Sequence, residues 1–246
     1  MSNNLYVTAT EARSGKSAII LGVMQMIIKE ISSIAFFRPI IGDHVFGRVD
    51  HDVNLILKYF KLQIPYNDTH AYTLSQARQL ITSGQEELLY ENILKKYKQL
   101  ASKYDFVLCE GTDFRGKDPG FEFDLNANIA ANLGAPVLAV ISGREKTADE
   151  TCTQTAITVD TLEQMGVDIA GCVINRVPDT FLRDTAGRPK CQEQFSKSFP
   201  VYVIPENRSL GSPTMDDVKR WLGAEVLYGK PGMLNLVDNY LVAAMQ

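Results

Sequence analysis

No apolar run in this chain approaches the roughly 20 residues that cross a bilayer. The N-terminus has neither a charged segment nor an apolar stretch behind it, so nothing directs export. A cytoplasmic protein is expected. Basic residues are not in excess, since 25 Lys and Arg against 29 Asp and Glu leave a net charge of −4. That balance argues against a general nucleic-acid binder, for which a basic footprint is needed. Cysteine is scarce: Cys109, Cys152, Cys172 and Cys191 form no Cys-x-x-Cys pair. Four reduced thiols are the expectation.

What remains is an ordinary globular composition, 45% hydrophobic and 22% charged over 246 residues. That length suits one large α/β domain, or a domain with an appendage. Leu5 to Ala9 reads as a short strand, and Ala18 to Met24 as the body of a helix. Between them lies Thr10-Glu11-Ala12-Arg13-Ser14-Gly15-Lys16-Ser17, which ends in the Gly-Lys-Ser of a phosphate loop. There the helix N-terminus presents amides and a partial positive charge of roughly half a unit to an anion. Lys16 adds a full charge for the outer phosphates, and the Ser17 hydroxyl is placed to hold Mg²⁺. The pattern is imperfect. Thr10 stands where the first glycine belongs, and Ala9 where glycine would allow the closest approach.

Ile19, Ile20, Val23, Met24, Ile27, Ile28 and Ile31 recur at helical spacing, and Ile34 to Phe37 is an apolar run suited to a buried parallel strand. Strand, helix and strand make a βαβ unit, with Arg38-Pro39 at the carboxyl edge where open α/β sheets bind ligands. Residues 42–52 form a polar loop holding Asp43, His44, Arg48, Asp50, His51 and Asp52. Their spacing matches no protein-only metal pattern, whereas one or two carboxylates touching nucleotide-bound Mg²⁺ is ordinary chemistry, which singles out Asp50 or Asp52. A helix is expected over 53–60, a turn at 65–68, and helix over 75–103 broken at Ser83-Gly84.

Further strands are expected at 104–112, 136–141, 169–175 and 201–205, with helices at 124–134, 147–165, 178–198 and 213–221. Glu110 ends the third strand, where a phosphate-loop protein needs an acid to hold Mg²⁺ or polarise water. Asn175 ends the fifth; its amide can pair with an adenine edge, although asparagine there is also a common turn former. Beyond Gly223 a strand-like piece at 224–229 and a helix at 232–245 are expected. Together the pattern implies a doubly wound, mostly parallel sheet with helices on both faces.

These residues, taken in order, resemble a known family. Thr8 to Ser17 is similar to the phosphate loop of dethiobiotin synthetase, and Phe37-Arg38-Pro39, residues 104–111 and Gly171 to Asn175 correspond to strand ends of that enzyme. The stronger resemblance is to the dethiobiotin-synthetase-like N-terminal domain of long bacterial phosphate acetyltransferases. It is carried by Asp50-His51-Asp52, residues 110–114 and 121–127, Asn132 to Val137, Val173 to Pro178 and Ile204 to Asn207. Residues 223–246 look like the opening of that family's middle domain, so the division implied is 1–222 and 223–246. The resemblance implies a nucleotide-binding-like regulatory or assembly domain, with acetyl transfer between phosphate and coenzyme A carried by an absent C-terminal domain. The expected ligands are Mg²⁺ with ATP or another nucleoside triphosphate, or a small anionic metabolite, held by Thr10 to Ala18, Arg38 and Asn175. Lys16 and Glu110 are the candidate catalytic groups, and Ser17, Asp52 and Glu110 the metal contacts. The apolar C-terminal end favours self-association.

Two alternatives stand beside this. One is an ATP-dependent ligase or carboxylase like dethiobiotin synthetase; in that family a lysine precedes the second strand's proline, and here Arg38 replaces it. The other is a ligand-free dimerisation scaffold.

Overall fold

The computed structural model describes residues 3–43, 49–112, 119–179 and 198–238. They fall into two compact units, Met1–Pro205 and Glu206–Gln246. In the first, β1 (Asn4–Ala9) leads through the phosphate loop into α1 (Lys16–Glu30), and β2 (Ile34–Phe37) follows. Proline at position 39 interrupts that strand, but the chain extends again as β3 (Ile40–Ile41) before α2 (His51–Tyr59). Next come β4 (Tyr72–Thr73), α3 (Leu74–Thr82), α4 (Glu86–Ala101), β5 (Phe106–Glu110), α5 (Pro119–Leu133), β6 (Val137–Ser142), α6 (Ala148–Gln164), β7 (Ile169–Val177) and β8 (Val201–Pro205).

The main sheet runs β2-β5-β1-β6-β7-β8, and every pairing in it is parallel. This is the doubly wound arrangement the alternation of strands and helices implies. Successive β1 side chains point to opposite faces. Tyr6 joins a core packed by α4, α5 and α6, including Leu89, Ile93, Ile129 and Leu162. Val7 joins the opposite core with Ile20, Val23 and Met24 of α1 and Val53 and Ile56 of α2. Each fully buried apolar side chain stabilises the fold by roughly 1.5–3 kcal/mol, so the α1 stripe fixes that helix firmly on the sheet. The carboxyl ends of β2, β5, β1, β6 and β7 thereby lie side by side in that order.

Several boundaries depart from expectation. The helix expected from Asp124 begins at Pro119, a residue suited to the first helical position because its missing N–H is not needed there. The pair β3 and β4, two residues each, is too short to show as periodicity. Among the cysteines, Cys109 and Cys172 are buried free thiols, but Cys152 is disulfide-bonded, against the expectation of four reduced thiols. Burial pushes the Cys172 thiol up to about 12 and that of Cys109 further, so neither is nucleophilic. The helix expected over 178–198 lies almost wholly outside the described residues.

The second unit contains α7 (Met215–Leu222), capped by Thr214 and Asp217 in a reciprocal capping box and closed by Gly223 in the left-handed region. The strand expected at 224–229 is not formed: it has no partner strand among the described residues, and Leu227 and Tyr228 are exposed. Nor is 233–238 helical. Its carbonyls cap α7 instead, Met215 N–H donating to Asn235 O and Asp216 N–H to Met233 O. Residues 239–246 lie outside the described set. Among the described residues no helix is long and apolar enough to cross a membrane.

Candidate functional site

The phosphate loop leaves β1 and re-enters helix at Lys16. Arg13 and Gly15 both have left-handed φ, +60° and +85°, around Ser14. Such alternation gathers successive backbone N–H groups around an anion. Ala18 and Ile19 N–H both donate to Gly15 O, so the amides of Lys16 and Ser17 have no acceptor within their own helix. Glycine is required at position 15, where a Cβ would clash with Asn175 Nδ2 and φ is unfavourable to any side chain. That close approach has a purpose: Asn175 Nδ2 donates to Ser14 O at 2.8 Å, bracing the loop from the end of β7.

Lys16 is 2% exposed. Its ammonium lies 3.2 Å from Glu110 Oε1 at the end of β5 and donates to Gly111 O. Glu110 is 1% exposed, so both charges are out of water and hold each other in place. On the next strand, Arg38 Nη1 donates to Asp50 Oδ1 at 3.1 Å and to Asp52 Oδ2 at 2.6 Å. Burial opposes the Arg38 charge, but Glu110, Asp50 and Asp52 outweigh it and raise its pKa above the usual value. Burial likewise pushes the Asp52 carboxyl up, yet Arg38, by charge and hydrogen bond, with help from His51 and Lys16, holds it below the usual range. Asp50 caps α2 by accepting from Asp52 and Val53 N–H, which ties the helix start to Arg38.

The outer rim is built differently. Glu11 pairs with Lys146 beyond β6 at 2.5 Å, and Arg176 Nη1 donates to Arg13 O at 2.7 Å. Glu11, Ala12, Arg13, Ser142, Arg144, Glu145 and Arg176 line a polar cleft of about 370 Å³ there.

Thus Thr10 to Ala18, Lys16, Arg38, Asp52, Glu110 and Asn175 converge at one edge of the sheet. Ser17 is half-buried in the first turn of α1 and Ala18 is exposed beside it. His44 and Arg48 of the polar loop lie outside the described residues. Asn175 differs in detail from the adenine-edge expectation, because half of its amide donors already serve the loop. Residues that sequence reasoning missed are Lys146, Tyr6 and Asn126. The last is one of two asparagines, with Asn128, in the otherwise apolar stretch Leu125 to Ala130, and that misfit was the available signal.

A Mg²⁺–nucleotide fits this set of groups. Thr8 Oγ1, Thr10 Oγ1 and Arg38 Nε are buried with no hydrogen-bond partner among the described residues. Buried polar atoms are rarely left so, and three at the carboxyl ends of β1 and β2 point to a polar guest. Two cations, Lys16 and Arg38, face three carboxylates, Asp50, Asp52 and Glu110, leaving one negative charge toward a divalent ion. Among the described residues no cluster of three or more acidic, His or Cys side chains forms a cage by itself. Any Mg²⁺ would therefore be shared with phosphate oxygens.

Comparison with known proteins gives the chain its relatives. The chain is 53% identical over its whole length to a phosphate acetyltransferase of Nitratidesulfovibrio vulgaris, of which it spans 35%. It is 25% identical to the ATP-dependent dethiobiotin synthetase BioD of Mannheimia succiniciproducens, covering 90% of this chain and 98% of that one. The solved MinD cell division protein of Aquifex aeolicus shares the fold at 14% identity and a TM-score of 0.50, with 92% of this chain and 98% of that chain covered. A family model described as an AAA domain matches residues 3–242. With a phosphate loop on a parallel sheet and that match over nearly its full length, the chain belongs to this AAA-domain family, AAA_26.

Proposed function

We propose that this chain is the N-terminal nucleotide-binding regulatory and assembly domain of a cytoplasmic phosphate acetyltransferase-like protein. Acetyl transfer between phosphate and coenzyme A is then the task of the other parts of such a protein, as its 35% span of the relative suggests. Residues 223–246 would open the next domain, and self-association of the chain would assemble the whole. The observation that carries the proposal is the buried Lys16–Glu110 pair beneath a loop whose backbone is set for an anion. In this reading the amides of residues 12–17 and Lys16 hold the phosphates, while Ser17, Asp52 and Glu110 hold Mg²⁺. The ion, when bound, neutralises phosphate charge. Arg38 orients Asp52, and Asn175 keeps the loop in shape.

The ligase alternative draws support from the dethiobiotin synthetase relative. Against it, Arg38 is held between Asp50 and Asp52 and, unlike a lysine ammonium, is a fixed planar fork. The test is thermal unfolding with and without Mg²⁺–nucleotide. Ligand at 100 times Kd adds about 2.7 kcal/mol. For a domain of this size that raises Tm by roughly 5–10 °C. Absence of any shift in the wild-type protein would refute nucleotide binding, and ADP release that depends on a small amine would favour the ligase.

A further inference from the structure

Asn126 is 2% exposed in the middle of α5, among apolar neighbours. An amide buried there is tolerable only if its donors and acceptors are matched, and all of them are. Asn126 Oδ1 accepts from Tyr6 Oη at 2.9 Å and from Thr112 N–H at 2.9 Å. Its Nδ2 donates to Thr112 O at 3.0 Å and to Glu122 O at 2.9 Å. One side chain thus grips both backbone polar groups of Thr112, the second residue after β5.

The consequence reaches the phosphate loop through one peptide plane. Thr112 N–H and Gly111 C=O belong to the same rigid, trans peptide unit and point in opposite directions. Fixing the N–H on Asn126 aims the carbonyl the other way, and the group that meets it is Lys16 Nζ. The rest of the turn is tied equally closely. Gly111 N–H donates to Val7 O, and Thr112 Oγ1 donates to Ile40 O. A Cβ at Gly111 would stand 2.9 Å from both Asn126 Oδ1 and Thr8 Oγ1, so the plane has little room to turn.

We infer that Asn126 is a positioning residue for the phosphate-loop lysine: by fixing the Gly111–Thr112 peptide it sets where Lys16 rests and, with it, the end of β5 that carries Glu110. The inference deepens the nucleotide-binding proposal and rests on it for its role in binding, but its structural half holds in the ligand-free protein. Two variants separate positioning from mere packing. Asn126→Leu keeps bulk but removes the acceptor for Thr112 N–H. Asn126→Asp keeps that acceptor and loses the amide donors.

The experiment is NMR of the ligand-free chain, following the Lys16 ammonium (assigned by its loss in Lys16→Met) and hydrogen exchange of the Thr112 amide, with the melting temperature of each variant. We expect both variants to melt lower. Only Asn126→Leu should shift the Lys16 signal and expose the Thr112 amide, with Asn126→Asp restoring both. Affinity for a Mg²⁺–ATP analogue, measured well below the melting temperature, should weaken by about fivefold or more in Asn126→Leu alone. A Lys16 signal that ignores Asn126→Leu while stability falls would overturn the inference. If Asn126→Leu does not fold, Asn126→Asp decides: a retained Lys16 signal and protected Thr112 amide support positioning, and their loss refutes it. Should the wild-type chain bind no nucleotide while Lys16 still follows Asn126, the nucleotide proposal falls and the positioning role stands.

Discussion

The two halves of the site use the same chemistry, opposite charges in contact, for different ends. Inside, Lys16 and Glu110 have side chains 1% exposed, and Arg38 lies against Asp50 with both nearly as deeply buried. On the rim, Glu11 and Lys146 are 38% and 24% exposed, and Arg144 pairs with a Glu145 that is 81% exposed. Charges in water gain little from each other, because the solvent already stabilises them and salt screens them. Charges out of water hold strongly, yet only after the loss of hydration that the pairing must offset. The inner pairs therefore keep the phosphate site in shape before any ligand arrives. The rim pairs, being partly in water, hold each other only weakly.

The comparison breaks most sharply at Lys16. Lys16→Met leaves Glu110 buried without its cation, and loss of one partner from such a pair destabilises by about 3–5 kcal/mol. Urea unfolding should show that loss, and nucleotide-induced stabilisation should vanish with it. Adding Glu110→Gln should recover much of the stability but none of the binding, which separates fold from function.

Next in size is Gly15→Ala. A Cβ there meets Asn175 Nδ2, and the left-handed φ adds strain of about 1–3 kcal/mol. Thermal melts should show a drop of that order, and Asn175→Ala in the same chain should recover part of it by removing the clash.

A pH series distinguishes the two halves as well. The Asp52 carboxyl is held below its ordinary value of 3.8 in the folded chain, so the unfolded chain takes up its proton first as pH falls. Its contribution to stability is complete above that value and fades as pH drops toward the lower, folded value. Asp52→Asn should flatten this acid limb of a stability-versus-pH curve while changing little near pH 7 in its slope. An unchanged acid limb would mean that Arg38 does not hold the carboxylate as described.

The smallest effect belongs to the rim. Lys146→Ala should alter stability by only about 0.2–1 kcal/mol, and less in high salt. A loss as large as that of Lys16→Met would show that the rim is as structural as the interior.

How much of this was legible beforehand follows from the physics of each element. Strands β2 and β6 of the main sheet are buried on both faces, so Ile34 to Phe37 and Val137 to Ile141 announce themselves as unbroken apolar runs. Arg38, Glu110 and Asn175 were legible because strand ends are where parallel sheets place chemistry, and Lys16 because it stands in Gly-Lys-Ser. What was not legible depends on distant pairing. Two-residue strands carry no period, the Arg38–Asp50 contact is set by how α2 folds back, and Asn126 shows its role only when α5 lies beside Thr112. The piece at 224–229 failed as a strand for the opposite reason: its pattern was strand-like, but among the described residues no neighbour pairs with it.

The most direct test of the central claim is a crystal of the chain soaked with Mg²⁺ and a non-hydrolysable nucleotide at millimolar concentration. Phosphate density should appear against the amides of residues 12–17, with Lys16 Nζ moved from Gly111 O onto the phosphates. An empty loop, with Lys16 still resting on Gly111 and Glu110, would contradict that claim.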